Sequence, residues 1–381
     1  MLPVKPLIKR SHHVVVSSDG DICIGELPGS ARIIKAPPPW VLETLKKLDG
    51  RHTLPRIVKE LQAAGHSVLE DQVQNLVARL HGFHLLEVND YHSTVLSTVE
   101  AERYDRQILQ YAVRSTSSRS SVTYQEKLKE STVTVFGMGG WGTWCSLQLA
   151  LNGIGTIRMV DGDVVELSNL NRQVLYDDSS LGLAKVDAAA ARIGQINPHV
   201  QCQAFFEFAT RDPERLRQQI RGADAILIAW ASLGHFRKDT IEEMIHTIAC
   251  EEGIPVMELG GDPIEISAGP IYPHQDGVNL YASEQVQRRA GAYADDAAIS
   301  KLQKARMRHA FSNGAREVNA WQSSPSLSIM SGIVCDQLVK YLTGYDRVHL
   351  VGRRMYMSMD DFSTREVILF DSEPASHVAA A

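Results

Sequence analysis

The chain has 381 residues, enough for one large domain and a small one. A hydrophobic content of 44% with 22% charged residues is that of an ordinary globular protein, and a net charge of −6 offers no basic field to nucleic acid. No run of about 18 apolar residues occurs, so no membrane-spanning helix is expected, and Met1 to His13 lacks the apolar stretch of a secretory signal.

Residues 1–91 are expected to form a small α+β domain. His13 to Val16 and Asp21 to Ile24 are β-rich with Asp19-Gly20 as a turn between them, and Arg32 to Lys35 is a third candidate strand. Three helical stripes come after these strands. Val41, Leu45 and Leu48 share one face; Leu54, Ile57, Val58 and Leu61 share another, with Thr53 as candidate N-cap. Leu69, Val73, Leu76, Val77 and Leu80 form the third stripe, with Ser67 near its start, and Phe83 to Val88 returns to a strand-like run. Strands followed by helices give a winged-helix-like order. Residues 92–130 are expected to be a linker carrying one helix, and the Ser/Thr run from Ser115 to Ser121 to be flexible or a loop.

From Ser131 to about residue 372 the pattern is α/β. Thr132 to Phe136, Thr156 to Val160, Ala225 to Ala229 and Ile254 to Met257 read as buried strands, and Trp144 to Ile154 and Ala184 to Ile196 as helices. That alternation predicts a Rossmann-like, mostly parallel sheet. Residues 373–381 are expected to be a disordered tail.

The chemistry-bearing stretch is Gly137-Met138-Gly139-Gly140-Trp141-Gly142, after a strand and before a helix. Glycines there allow a tight turn and close approach of backbone N–H groups to phosphate, at a helix N-terminus that favours negative charge. A tight strand–helix turn without a ligand is the lesser alternative for this stretch taken alone. Asp161, 19 residues after Gly142, can accept hydrogen bonds from ribose hydroxyls, which suits NAD as well as ATP. The residues beyond Asp161 separate the two nucleotides. Asn169, Arg172, Gln173 and Lys185 are polar or charged and have no obvious use together in an apolar nicotinamide pocket. Attack of a carboxylate on an α-phosphate does use them, because charge grows on phosphoryl oxygens and on the departing pyrophosphate.

These motifs resemble the ThiF/MoeB/HesA family, bacterial relatives of ubiquitin-activating enzymes. The resemblance runs through Arg103-Tyr104-Asp105-Arg106-Gln107, the glycine loop, the whole of Asp161 to Gln173, Gly182-Leu183-Ala184-Lys185, and Ile196-Asn197-Pro198-His199. It implies ATP-dependent adenylation with Mg²⁺ as companion ion. Asp161 would hold the ribose. Asn169, Arg172, Gln173 and Lys185 would surround the triphosphate, with Asp163 counted in the nucleotide-binding set beside Gly137, Gly139, Gly140 and Gly142. Arg106 would be an arginine finger entering a partner subunit's site, which implies a homodimer; without the family it reads as a surface ion-pairing residue.

Three departures from the family pattern stand out. The metal-ligand Asp after the fourth strand is replaced by Ala231, leaving Asp163, Ser232 and His235 as weak substitutes. The family's paired zinc cysteines are missing: Cys23, Cys145, Cys202, Cys250 and Cys335 are scattered with no Cys-x-x-Cys, which also makes a reducing cytoplasm the expected location. No cysteine stands out as a thioester nucleophile. Residues 1–91 resemble the PqqD-like domain that recognises leader peptides, with a groove between Arg32–Lys35 and Leu69–Leu80 where a peptide could add as a strand. A dimerising or stabilising winged helix, or a DNA-binding one, is the other reading of that domain. Both domains together resemble the peptide-modifying branch that matures microcin C and pantocin A, nearer the latter, implying activation of carboxylates, glutamate side chains included, on a ribosomally made precursor peptide. A non-catalytic nucleotide- or peptide-binding scaffold and an NAD(P)-dependent oxidoreductase are the alternatives.

Overall fold

A computed structural model describes residues 2–88, 93–116, 119–230, 241–261, 264–274, 277–289, 301 and 322–369. The chain divides into two compact units, Met1–Lys127 and Leu128–Ala381. The tail from residue 373 and the positions of Ala231, Ser232 and His235 lie outside the described residues.

The first unit opens with β1 (Pro6–Ile8), β2 (Val14–Val16), β3 (Ile22–Ile24) and β4 (Arg32–Ile34). The helices α1 (Pro39–Lys47), α2 (Leu54–Ala63) and α3 (Glu70–Gly82) come next, then β5 (Leu86–Val88). β2, β3 and β4 form an antiparallel sheet in that order, and β1 pairs with β5. The β2–β3 turn closes through Ser17 N–H to the Asp21 carbonyl at 2.8 Å, with Gly20 at φ +88°, a conformation that costs glycine little. Period-2 alternation buries Ile22 and Ile24 against Val41, Leu45, Ile57, Leu61, Val73 and Val77. Thr53 holds the N-cap position of α2, yet its hydroxyl caps nothing. α3 starts at Glu70, and the Gln72 side chain accepts from the Leu69 N–H at 2.9 Å, so that glutamine does the work expected of Ser67.

The stretch expected as linker carries α4 (Thr98–Arg103), α5 (Asp105–Arg114) and α6 (Val122–Glu130). The Ser/Thr run is a loop where it is described, and an anchored one: Ser115, Ser120 and Ser121 are buried. The reason is polar anchoring. The buried Lys9 ammonium donates to the Ser115 carbonyl at 2.5 Å, and the Ser115 and Tyr124 hydroxyls share a 2.7 Å hydrogen bond. Burial pulls the Lys9 amine below its usual pKa, and Glu87 opposes that shift.

The second unit is built on an eight-stranded sheet. In chain order its elements are β6 (Thr132–Phe136), α7 (Gly140–Asn152), β7 (Thr156–Val160), α8 (Lys185–Ile196), β8 (Gln201–Phe205), α9 (Pro213–Ile220) and β9 (Ala225–Ile228). Then come α10 (Ile241–Glu251), β10 (Val256–Gly261), β11 (Glu265–Tyr272), α11 (Gly277–Arg289), α12 (Ser324–Thr343), β12 (Arg353–Ser358) and β13 (Thr364–Ile368). The strand order is β13-β12-β11-β10-β9-β6-β7-β8. β10, β9, β6, β7 and β8 are parallel, whereas β11, β12 and β13 are added antiparallel. α9 and α10 cover the face bearing Phe136, Val160, Ile226 and Ile228, and α7 packs along α12. The parallel order reverses at β6, which has β7 on one side and β9 on the other. Ligands of such sheets bind outside the carboxyl ends of the strands at that reversal, where the Gly137–Gly142 segment lies.

Candidate nucleotide site

The glycine loop is shaped by what its missing side chains would strike. Gly137 leaves β6 at φ +90°, and its N–H donates to the Val160 carbonyl at 2.9 Å. A Cβ on Gly142 would lie 1.8 Å from the Gly137 carbonyl oxygen, so the first turn of α7 sits directly on the loop. A Cβ on Gly140 would lie 2.7 Å from both the Gln322 Oε1 and Leu327 Cδ1. Gly139 differs: the nearest atom to its Cβ position is the Gln173 Nε2, at 3.9 Å. It is the N-cap of α7 and has no side chain to satisfy the N–H groups of the first turn. Among the described residues the loop is therefore closely packed except at Gly139, where only the Gln173 amide nitrogen comes within 4 Å of the helix N-terminus.

The segment after β7 is folded onto this loop. Asp161 Oδ2 accepts from the Met138 N–H at 2.6 Å and Oδ1 from the Asp163 N–H at 2.8 Å. Each carboxylate oxygen keeps a further lone pair for a hydroxyl. The Tyr176 phenol donates to the Met138 carbonyl at 2.8 Å, so Met138 is held from both sides. Burial, with Asp161 and then Asp163 nearby, pushes the Tyr176 phenol far above its usual pKa and keeps it a neutral donor. Asn169 is buried, and its Oδ1 accepts from the Glu166 N–H at 3.0 Å, closing the short 3₁₀ turn Leu167–Asn169. The Arg172 carbonyl accepts from the Trp144 indole at 3.1 Å, tying the segment to α7.

Arg172 and Lys185 supply positive charge. Arg172 Nε donates to Gln322 Oε1 at 3.0 Å and its Nη1 to the Ser168 carbonyl at 2.5 Å and Asn171 Oδ1 at 3.1 Å. Lys185 opens α8, and its Nζ lies 2.8 Å from Asp163 Oδ2; the lysine side chain is 8% exposed and the carboxylate 54%. The buried Gln173 Oε1 has no hydrogen-bond partner among the described residues. An orphaned acceptor of this kind costs about 1–3 kcal/mol until a donor fills it, and Gln173 borders the opening at Gly139.

The structure thus gathers Gly137, Gly139, Gly140, Gly142, Asp161, Asp163, Asn169, Arg172, Gln173 and Lys185 in the second unit. Arg106 is elsewhere: it lies on α5 in the first unit, its side chain is 92% exposed, and it stands 3.9 Å from Asp105. Sequence reasoning missed Tyr176, Gln322 and Phe208. Tyr176 had a local signal, a polar-tipped aromatic in an apolar run. Phe208 places its ring 2.7 Å from where a Cβ would be on Gly162, the residue after Asp161. Gln322 is 150 positions from Arg172 and carries no sequence signal of its role.

A PaaA-like N-terminal domain matches residues 11–70. A crystal structure of selenomethionine PaaA is 46% identical, superposes with a TM-score of 0.74, and matches 96% of this chain and 100% of that one. A structure of E. coli MccB with AMPCPP and selenomethionine MccA shares the fold, with a TM-score of 0.67 at 17% identity over 97% of this chain and 98% of its own. The molybdopterin-synthase adenylyltransferase of Haemophilus influenzae is 39% identical over 132 residues, 35% of this chain and 51% of that protein. The chain spans between 24% and 62% of the length of the curated relatives it matches. The ThiF family profile matches residues 104–376, more than half the chain and all of the site, so the chain belongs to the ThiF family.

Proposed function

We propose that this protein uses ATP to adenylate a carboxylate of a ribosomally made precursor peptide, glutamate side chains being the favoured target. The observation that carries the reading is the Gly139 edge of the α7 N-terminus, where among the described residues only the Gln173 amide nitrogen comes near, joined through this segment to Arg172 and Lys185. In this reading the phosphates lie at the glycine loop and the ribose on Asp161. The base continues along the strand ends toward Phe208. A substrate carboxylate oxygen bonds to the α-phosphorus as the bond to the bridging oxygen breaks and pyrophosphate leaves. Arg172 and Lys185 offset the charge that gathers on the phosphoryl oxygens and the leaving group. A nucleophile within the peptide then displaces AMP from the acyl-adenylate.

Mg²⁺ fits the donor set modestly. It needs one or two carboxylates plus phosphate oxygens, and Asp163 is the half-exposed candidate, although it pairs with Lys185. Bound there, the ion would neutralise phosphate charge. Arg106 as a finger into a second copy's site, and hence a homodimer, belongs to the same proposal; its solvent-facing guanidinium suits that role.

The first unit is the proposed leader-peptide module. β4 ends the β2-β3-β4 order, and its exposed Ile33 stands beside Arg32, whose guanidinium lies 4.9 Å from the centre of the Phe83 ring at the end of α3. An extended peptide could pair with that edge and rest side chains against α3. The PaaA-like match over residues 11–70 supports this. The test is isotope exchange between pyrophosphate and ATP by the full chain, with and without short peptides encoded beside its gene. Peptide-dependent exchange is expected; absence of exchange with every such peptide would overturn the proposal.

A further inference from the structure

The Arg172 guanidinium does not stand free in the site. Its Nε donates to Gln322 Oε1 at 3.0 Å, and its Nη1 donates to the Ser168 carbonyl at 2.5 Å. Two acceptors on different nitrogens fix the plane of the fork, because a guanidinium is rigid and its N–H directions are set. Arg172 only donates, so the Gln322 atom facing it must be the amide oxygen, whatever amide orientation would otherwise be assigned. The same oxygen lies 2.7 Å from where a Cβ on Gly140 would be, at the first residue of α7. Gln322 therefore sits where the arginine meets the wall of the glycine loop. It enters from the residue pair just before α12, whose Leu327 also packs on Gly140.

We infer that Gln322 is a positioning residue for nucleotide binding, aiming Arg172 at the polyphosphate while leaving its charge unspent. The inference rests on the nucleotide reading of the site. The choice of a neutral acceptor is the chemical point. A carboxylate in that place would hold the guanidinium more strongly, but it would also neutralise the cation and put a negative charge beside the phosphates. An amide oxygen orients without neutralising. Among the described residues, the second terminal nitrogen, Nη2, has no protein partner, which leaves it to meet a ligand.

The experiment is calorimetric titration of the full chain with ATP and Mg²⁺, alongside a melting curve for each variant. Gln322→Met keeps the volume and removes the acceptor; it should weaken ATP binding about tenfold, the scale of one hydrogen bond to a charged group. Gln322→Glu keeps an acceptor and should weaken binding further than Gln322→Met, although a purely structural role would make Glu the better tolerated change. Arg172→Met and the double variant Arg172→Met/Gln322→Met should bind ATP equally weakly, because Gln322 acts through Arg172. Binding by Gln322→Met within twofold of the parent, additive losses in the double variant, or Gln322→Glu binding better than Gln322→Met would each overturn the assignment. If the unsubstituted chain does not bind ATP, the nucleotide reading itself falls and takes this role with it. Losses that track a lowered melting temperature, with Gln322→Glu restoring both, would mark Gln322 as structural and also overturn it.

Discussion

Gly139→Ala separates a phosphate cradle from a glycine turn that merely packs. At Gly137, Gly140 and Gly142 a new methyl group meets protein, 1.8 Å from a carbonyl oxygen in the last case, so substitution there disturbs the fold whatever the site does. At Gly139 the methyl would make only an ordinary contact among the described residues, the nearest atom being the Gln173 Nε2, 3.9 Å away. The residue sits at φ −84° and ψ −149°: φ is open to alanine, but ψ lies just beyond the extended region. The structural cost is then the loss of a favourable N-cap, about 1 kcal/mol or less, plus about 1 kcal/mol of backbone strain. In a unit of this size that lowers the melting temperature by about 4–8 °C. The functional cost is larger if phosphate approaches this edge. The methyl would hold the phosphate off the α7 N–H groups and forfeit at least one charge-assisted hydrogen bond, about 1.5–3 kcal/mol. That corresponds to roughly 10- to 150-fold weaker ATP binding. Calorimetry and a melting curve on the same sample read both numbers. Unchanged ATP affinity in a folded Gly139→Ala protein would refute the placement of phosphate at this loop. Gly142→Ala is the control and should fail to fold or melt far lower.

Lys185→Met should leave stability nearly unchanged, since the Asp163 carboxylate it abandons is half exposed and readily hydrated, yet reduce pyrophosphate exchange at least about 100-fold; exchange within a few-fold of the parent would remove Lys185 from the chemistry. In the second unit, the buried Arg354 bridges Glu258 at 3.1 Å and Glu284 at 3.3 Å, and His246 meets Glu258 at 3.1 Å. Arg354→Met removes the guanidinium from between two buried carboxylates and should destabilise the unit by about 3–5 kcal/mol in urea unfolding, with Arg354→Met/Glu258→Gln/Glu284→Gln recovering much of that. Glu60, held by Lys47 and Arg56, is pulled from the ordinary 4.5 to about 2. A carboxylate with a depressed folded-state pKa adds stability above its unfolded pKa and loses it as pH falls through the folded value. Glu60→Gln should therefore flatten the stability profile between pH 4.5 and about 2, and an unchanged acid limb would contradict the pairing.

Much of this protein was legible from local pattern. The strands Thr132–Phe136 and Thr156–Val160 and the helix ending at Ile196 occur where apolar runs and periodicity place them. The residues from Asp161 to Lys185 could be collected as one site because they are close in sequence and wrap a single loop. The helix after the loop begins at Gly140 rather than near Trp144, since propensity counts glycines against a helix while packing on Gln322 and Leu327 demands them. The strands β8, β11, β12 and β13 were not foreseen. β8 and β13 are edge strands, largely exposed and therefore without a continuous apolar signature, and β11 and β12 join by antiparallel register set far along the chain.

What the sequence determined by itself was the set of available groups: glycines, carboxylates, amides and cations spaced as the ThiF family spaces them. Only the tertiary structure decided how those groups are aimed. Tyr176 and Asp161 grip Met138 from opposite sides, and Gln322 reaches Arg172 from 150 positions away. The physical reason is that composition and spacing fix which atoms are available, whereas the direction of a hydrogen bond depends on where distant backbone segments meet in the folded chain.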